Sequence, residues 1–218
     1  MSTKSSASNI EHDRGTEQRI LDAANTVFLR RGTAGARMEE IAKEAGVNQA
    51  LLHYYFRTKD RLAEAVFRHA AQQLLPSLIQ ILGSAVDLET KVERVVQLEL
   101  EHLSRTPQLP GYLLSELHQR PERARQLIST ITGMAPEESR PRLLSALRRQ
   151  IDERVQAGAM AAITPEQFIV NLLSLCIFPF AVRPMLMAML GLDDRGFAQF
   201  IARRREELPA FFLGGLRP

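Results

Sequence analysis

The chain has 218 residues, of which 45% are hydrophobic, and 28 lysines and arginines against 25 aspartates and glutamates give a formal net charge of +3. This apolar content is enough to bury a core and excludes disorder for most of the chain. The single cysteine, Cys176, excludes an internal disulfide framework. The slight basic excess is compatible with a polyanionic partner but does not require one.

The first thirteen residues are polar and rich in serine, and we expect residues 1–13 to form a disordered tail. They lack the apolar stretch of a secretory signal. The passage that most resembles a membrane span, residues 168–190, is interrupted by Asn171, Pro179 and Arg183. We therefore expect a cytoplasmic protein with no membrane partner.

Apolar residues recur at helical spacing along almost the whole chain, and no alternating run of β-branched residues predicts a strand. The first helix is expected to begin at Thr16, which is a suitable N-cap, and to end at Gly32. Two short helices follow, over residues 39–45 and 48–56. The pattern predicts an all-α fold of about nine helices.

Prolines and glycines divide the next part of the chain. A fourth helix begins after Thr58, and Pro76 either kinks it or separates it from the next element. After a proline-rich break, a helix is predicted around residues 113–118. Residues 133–141 are predicted to form a loop before a further helix with one polar face.

Two apolar helices are predicted near the C-terminus. Thr164, Pro165 and Gln167 supply an N-cap, a first-turn proline and the glutamine of a capping box for the first of them. The second runs from about residue 193 to residue 212. So much apolar surface needs a partner, and a second copy of the pair would complete a four-helix interface. The expected dimer residues are Phe168, Leu172, Leu175, Phe197, Phe200, Ile201 and Arg204.

The segment 38–56 has the residue spacing of a helix-turn-helix. Ala42 is small where two helices would cross, Gly46 tolerates a positive φ in the turn, and Val47, Leu52 and Phe56 can anchor the second helix. With these anchors buried, the remaining residues of the second helix face outward, where they can enter a major groove. An asparagine or glutamine there can bond an adenine edge, and an apolar side chain can contact a thymine methyl.

Three motifs in register resemble the DNA-binding domain of the TetR/AcrR family of bacterial regulators. They are RILDAANTVFLRRG at residues 19–32, EEIAKEAGV at residues 39–47 and LHYYFRTKDRL at residues 52–62. The resemblance implies that the segment 48–56 is a recognition helix and that Lys59 supports phosphate contact. The DNA-binding residues expected on these grounds are Arg37, Met38, Asn48, Gln49, Ala50, Leu51, His53, Tyr54 and Lys59.

The chain departs from the family pattern at the residues that would read DNA. The family often has Ser-Lys-Gly-Thr where this chain has Asn48, Gln49, Ala50 and Leu51, and tyrosine where it has His53. It usually has threonine or serine just before the second helix, where this chain has alanine and arginine. An operator sequence cannot therefore be transferred from the family.

The resemblance also implies a helical C-terminal domain that dimerises and encloses an effector cavity. The expected domains are a helix-turn-helix domain over residues 14–60 and an effector-binding and dimerisation domain over residues 61–218. The candidate lining residues predict a hydrophobic or amphipathic effector, and Arg183 is the strongest, because a charge beside an apolar helix end needs water or an anionic partner. The candidates are His102, Leu103, Tyr112, Leu113, Glu116, Phe178, Arg183 and Met187.

The sequence favours a regulator over two other classes. No metal-binding histidine spacing, nucleophile motif or phosphate-binding glycine loop is present, so no metal, cofactor or catalytic site is predicted and a small helical enzyme is disfavoured. An architectural protein that binds DNA without sequence choice needs more charge than the ten basic against seven acidic residues in the segment 14–68. The prediction is a homodimeric, sequence-specific repressor that binds a palindromic double-stranded operator and is released from it by a small-molecule effector.

Overall fold

A computed structural model of the chain describes residues 3–218, with side chains described for residues 15–142 and 144–218. The described residues form twelve helices and no strand, which confirms the predicted all-α fold. The helices are α1 (Thr3–Gly35), α2 (Met38–Ala45), α3 (Gln49–Tyr55), α4 (Lys59–Gln72), α5 (Leu75–Gly83), α6 (Leu88–Arg105), α7 (Leu109–Gln119), α8 (Glu122–Thr132), α9 (Pro136–Gln156), α10 (Pro165–Ala181), α11 (Arg183–Leu190) and α12 (Asp194–Gly214).

The chain divides into two compact units. The first contains the residues up to Ala71 together with Ser115–Arg123, and the second contains Gln72–Leu114 and Ala124–Pro218. The sequence placed the boundary at residue 60, whereas in the structure α4 belongs to the first unit. Its apolar face is buried, and Gln18 of α1 is hydrogen-bonded to His69 of α4 at 3.4 Å.

In the first unit, α1 packs against α2, and α2 packs against α3. The apolar face of α1 is fully buried at Ile20, Ala24 and Val27. Gly32 has φ 68° and ψ 163°, so the helix is broken where the sequence predicted its end, and a short turn continues to Gly35.

The N-terminal prediction differs from the structure. Helix α1 begins at Thr3, so Thr16 is a buried residue inside the helix and not its N-cap. The predicted disordered tail is helical from Thr3 onward, and Met1 and Ser2 lie outside the described residues.

In the second unit, α6 packs against α5, α9, α10 and α12, and its buried face supplies the centre of the core. Val92, Val95 and Val96 are fully buried there. The N-terminus of α10 is capped as predicted, with the Thr164 hydroxyl accepting from the Gln167 amide at 3.2 Å. This core is therefore built around one helix that contacts both C-terminal helices.

Prolines account for the helix boundaries that differ from the predictions. Pro76 lies in the first turn of α5, where its missing N–H has no consequence, and so it separates α5 from α4. Pro136 likewise opens α9, which continues through Pro141, so the predicted loop over residues 133–141 is wrong beyond residue 135. Helix α8 was not predicted.

In the described part of the chain, no individual helix combines the length and hydropathy that a membrane crossing requires. Helices α10 and α11 meet that test only when taken together, across a bend of 74°.

Candidate nucleic-acid interface

The turn between α2 and α3 has the geometry that its sequence predicts. Gly46 is left-handed, with φ 65° and ψ 35°. The Val47 amide donates to the Ala42 carbonyl at 3.0 Å and the Gly46 amide to the Lys43 carbonyl at 3.2 Å, which is the pattern of a Schellman cap. Ala42 is buried, as the crossing of two helices requires. This turn fixes the direction in which α3 leaves α2.

Helix α3 is anchored on one face and exposed on the other. Leu52 and Phe56 are buried beneath it, and Leu51 is half-buried. Tyr54 is 74% exposed and meets Tyr55 edge to face, with 5.3 Å between the ring centroids. The residues that face solvent are Gln49, Ala50, His53 and Tyr54. These side chains give α3 two aromatic rings, an amide and a methyl group to present to a partner.

Asn48 caps α3, which the sequence prediction missed. Its side-chain Oδ1 accepts from the Leu51 amide at 2.7 Å. A bidentate contact with adenine uses both the oxygen and the nitrogen of the amide, so a base contact by Asn48 would have to share its oxygen with the cap. Gln49, one residue later, keeps its whole amide exposed.

Lys59 occupies a defined position at the start of α4. Its Nζ donates to the carbonyls of Ala34 and Ala36, both at 3.1 Å, and so binds the chain that links α1 to α2. An ammonium group has three donors, so one remains for a phosphate oxygen. Arg37 is exposed and Met38 half-buried where this linker enters α2. Lys59 therefore has a structural role beside the predicted one.

Ion pairs join α1 to α2 at the same end of this unit. Arg30 Nη2 and Arg31 Nε both lie 2.9 Å from Glu40 Oε1. The two arginines are exposed, so each pair contributes only about 0–1 kcal/mol to stability. Their effect is to hold two positive charges beside the start of α2.

A short segment of α7 and α8 completes the first unit. Glu116 and Arg123 are both buried and form an ion pair. Thr33 Oγ1 donates to Glu116 Oε1 at 2.5 Å, and Arg120 Nη2 lies 2.7 Å from Asp60 Oδ1. Both carboxylate oxygens of Glu116 are therefore bound within this unit, and its role as an effector ligand stays a prediction. No local pattern could reveal this, since Thr33 lies 83 residues away.

Comparisons with known proteins identify this arrangement. The family described as bacterial regulatory proteins, tetR family, matches residues 20–66, which include α2, its turn and α3. Residues 20–66 are thus similar to the tetR family, and the match confirms the resemblance carried by the three sequence motifs.

Curated helix-turn-helix transcriptional regulators align with only part of the chain. The transcriptional regulator BetI of Brucella anthropi is 38% identical over 76 residues, which is 35% of this chain and 38% of BetI. The transcriptional repressor NicS of Pseudomonas putida is 28% identical over 120 residues, which is 55% of this chain and 57% of NicS. The chain thus spans between about two fifths and three fifths of the length of these relatives.

Solved structures resemble the chain over nearly its whole length. SCO4942 of Streptomyces coelicolor has a TM-score of 0.64 and 24% identity, covering 93% of this chain and 99% of that protein. The ketosteroid transcriptional regulator KstR2 of Mycobacterium tuberculosis has a TM-score of 0.64 and 15% identity, covering 93% and 95%. At this identity the likeness shows a shared fold.

In the second unit, the predicted effector residues do not gather at one site. Arg183 lines a pocket of about 240 Å³ between α6 and α12. Leu103 and Met187 pack in or against the core, and Phe178 is 54% exposed. His102 is half-buried, with no partner for its Nε2 among the described residues. Of the remaining two residues, Tyr112 is buried and Leu113 is half-buried.

Most of the predicted dimer residues are occupied within a single chain of the same unit, so their place at an interface stays a prediction. Phe168, Leu172, Phe197 and Ile201 are buried in the core of a single chain, because α10 and α12 use that face against α6. Leu175 and Phe200 are half-buried against the core. Arg204 donates from Nε and Nη2 to the Leu175 carbonyl of its own chain at 3.1 and 2.9 Å. The large apolar side chains of α10 and α12 that point outward are Val170 (56% exposed), Phe178 and Phe211 (70% exposed).

The side chains that the structure describes offer neither a metal-binding site nor a reactive thiol. No group of three or more histidine, cysteine, aspartate or glutamate side chains among them could hold a metal ion. Burial, and secondarily the negative charge of Glu99, raise the pKa of Cys176 to about 12. A buried thiol with so high a pKa behaves as a packed apolar group.

Proposed function

We propose that this protein is a sequence-specific transcriptional regulator in which α3 is the recognition helix. The observation that carries the proposal is the division of α3 into a buried anchor face and an exposed face with Gln49, His53 and Tyr54. A helix fixed by a capped turn, with exposed polar and aromatic side chains, fits the major groove of B-form DNA. Lys59, close to α3 in the chain, would add a phosphate contact.

The regulator would act as a homodimer. Val170 and Phe178 on α10 and Phe211 on α12 form an exposed apolar set, which we name the C-terminal face. Three large exposed apolar side chains, two of them aromatic, favour a partner surface, and a second copy would bury them in a two-fold interface. The dimer would place two recognition helices on half-sites about 34–36 Å apart, or slightly more, and would read a palindrome.

Repression relieved by a small molecule is the mode that the relatives support. NicS is named as a transcriptional repressor, and HdnoR of Paenarthrobacter nicotinovorans as a nicotine-responsive transcriptional repressor. We infer that this chain represses from a palindromic operator in the cytoplasm and is released from it by a hydrophobic or amphipathic effector. The mainly apolar lining of the pocket between α6 and α12 supports that class of effector.

Selection of bound sequences from a random duplex library tests the proposal. We expect enrichment of one palindrome, and a preference of at least about a thousandfold over random duplex at moderate salt. The control is a variant with alanine at Gln49, His53 and Tyr54, which should lose the enrichment while keeping the same melting temperature. Binding that follows salt concentration alone, without enrichment, would instead establish a sequence-tolerant architectural protein.

A further inference from the structure

A pocket of about 240 Å³ lies within the second unit, between α6, the end of α10, the start of α11 and α12. Its walls are mainly apolar and include Leu100, Phe180, Phe197 and Ile201. The volume is slightly below the range of drug-sized ligand sites, and about eight water-sized groups would fill it. The pocket therefore suits a small ligand with an apolar body.

The polar groups of this pocket include two cations and one anion. Arg183 and Arg205 line it together with Asp194 and Ser104. Arg183 Nη2 donates to Asp194 Oδ1 at 2.8 Å, but the Asp194 side chain is 88% exposed, whereas that of Arg183 is only 25% exposed. Water screens the aspartate much more than the arginine, so the pair leaves a net positive charge at the pocket wall.

The Arg183 guanidinium is held in place and is not fully bonded. Its Cζ lies 5.0 Å from the centroid of the Phe197 ring, which is within cation–π range. Its Nε is buried and has no hydrogen-bond partner among the side chains and backbone that the structure describes. The guanidinium is therefore under-bonded, and the acceptor that best matches a guanidinium lining a pocket is a carboxylate.

We propose that this pocket binds a small amphipathic carboxylate, with Arg183 as the counter-ion and the apolar walls around the hydrocarbon part. The identification of this ligand as the effector rests on the proposed function, because the effector is the molecule that releases the regulator from DNA. The site would then differ from the one predicted from sequence, since Leu103, Phe178 and Met187 do not line it.

Hexanoate and hexanamide are suitable probes, because they have the same size and differ in charge. Calorimetric titration of the full chain, without DNA, should show hexanoate binding at least about tenfold more tightly than hexanamide. Arg183→Gln should weaken hexanoate binding by about tenfold and leave hexanamide binding unchanged. Arg195→Gln is the matched control, since Arg195 is an exposed arginine in the first turn of α12, and it should stay within about twofold of the wild type.

Equal binding of the two probes by the wild-type protein would overturn the proposal, and that comparison requires no variant to fold. Equal losses in Arg183→Gln and Arg195→Gln would also overturn it, because they would indicate general attraction to positive charge. In a second arm, hexanoate should release wild-type and Arg195→Gln protein from the selected operator but not Arg183→Gln protein. If no operator is found, the proposed function fails while the calorimetric arm still decides the ligand class.

Discussion

Gln49 occupies the first position of α3 and is the exposed amide best placed to contact a base edge. Gln49→Ala should cost about 1–3 kcal/mol of binding free energy on the preferred operator and little on random duplex. Gln97→Ala, at an exposed glutamine of α6, is the control and should change neither affinity. Titrations on both duplexes measure the difference. Equal losses on the two would show that Gln49 does not read sequence.

Lys59 combines a structural and a nucleic-acid role, and the two can be separated. Lys59→Ala removes the bonds to the Ala34 and Ala36 carbonyls, so we expect a loss of about 1–3 kcal/mol in unfolding free energy. It should also weaken binding to all duplexes and reduce the salt slope by about one. Denaturant titration and salt-dependent binding measure the two effects. A destabilised variant with an unchanged salt slope would leave Lys59 with the structural role alone.

Helix α6 carries a buried carboxyl group that lowers stability as pH rises. Glu99 is fully buried, its Oε2 has no partner among the described residues, and burial raises its pKa to about 7. The folded protein thus binds this proton more tightly than the unfolded chain, whose glutamate has an ordinary pKa near 4.5. The contribution of Glu99 to the free energy of unfolding is therefore fully present below about pH 4.5. It is lost as pH rises through 7, and the total loss is roughly 3 kcal/mol.

Glu99→Gln should remove this pH dependence, because the amide has nearly the same shape and does not ionise. Denaturant unfolding should give the variant about the wild-type stability at pH 5 and a higher stability at pH 8. The neighbouring titratable groups are His102 on α6, whose pKa burial lowers, and Cys176 on α10, and both are present in wild type and variant alike. A constant difference between the two proteins across this pH range would contradict the assignment.

At the level of helices, the sequence predicted what local chemistry decides. The Gly46 turn, the break at Gly32 and the Thr164 cap each depend on residues within one or two turns. Pro141 misled the prediction because packing along α9 tolerates a proline that removes one helical hydrogen bond. The hydrogen bond from Thr33 to Glu116 could not be predicted either, since only the folded chain brings these two residues together.

The candidate sites were also predicted only as far as local sequence allows, because contacts between distant residues are not visible in it. Hydrophobic periodicity identified α10 and α12 as apolar, but it could not tell which face is used within the chain. Phe168 and Ile201 were therefore predicted at the dimer interface, although they pack on α6. The exposed residues of α3 were predicted because the buried anchors Leu52 and Phe56 repeat at a spacing of one helical turn.

At the scale of the whole molecule, the C-terminal face connects the fold to its proposed function, because a palindrome can be read only by two copies. Phe211→Asp should place a charge on this face in both subunits and weaken dimerisation by about a hundredfold or more, without unfolding the monomer, since Phe211 is mostly exposed. Leu114→Asp changes a similarly exposed apolar residue on α7 and should leave dimerisation intact. Sedimentation equilibrium measures both, and operator affinity should fall only in Phe211→Asp. If that variant stays dimeric and binds the operator normally, the two copies associate through another surface, and the C-terminal face must contact something else.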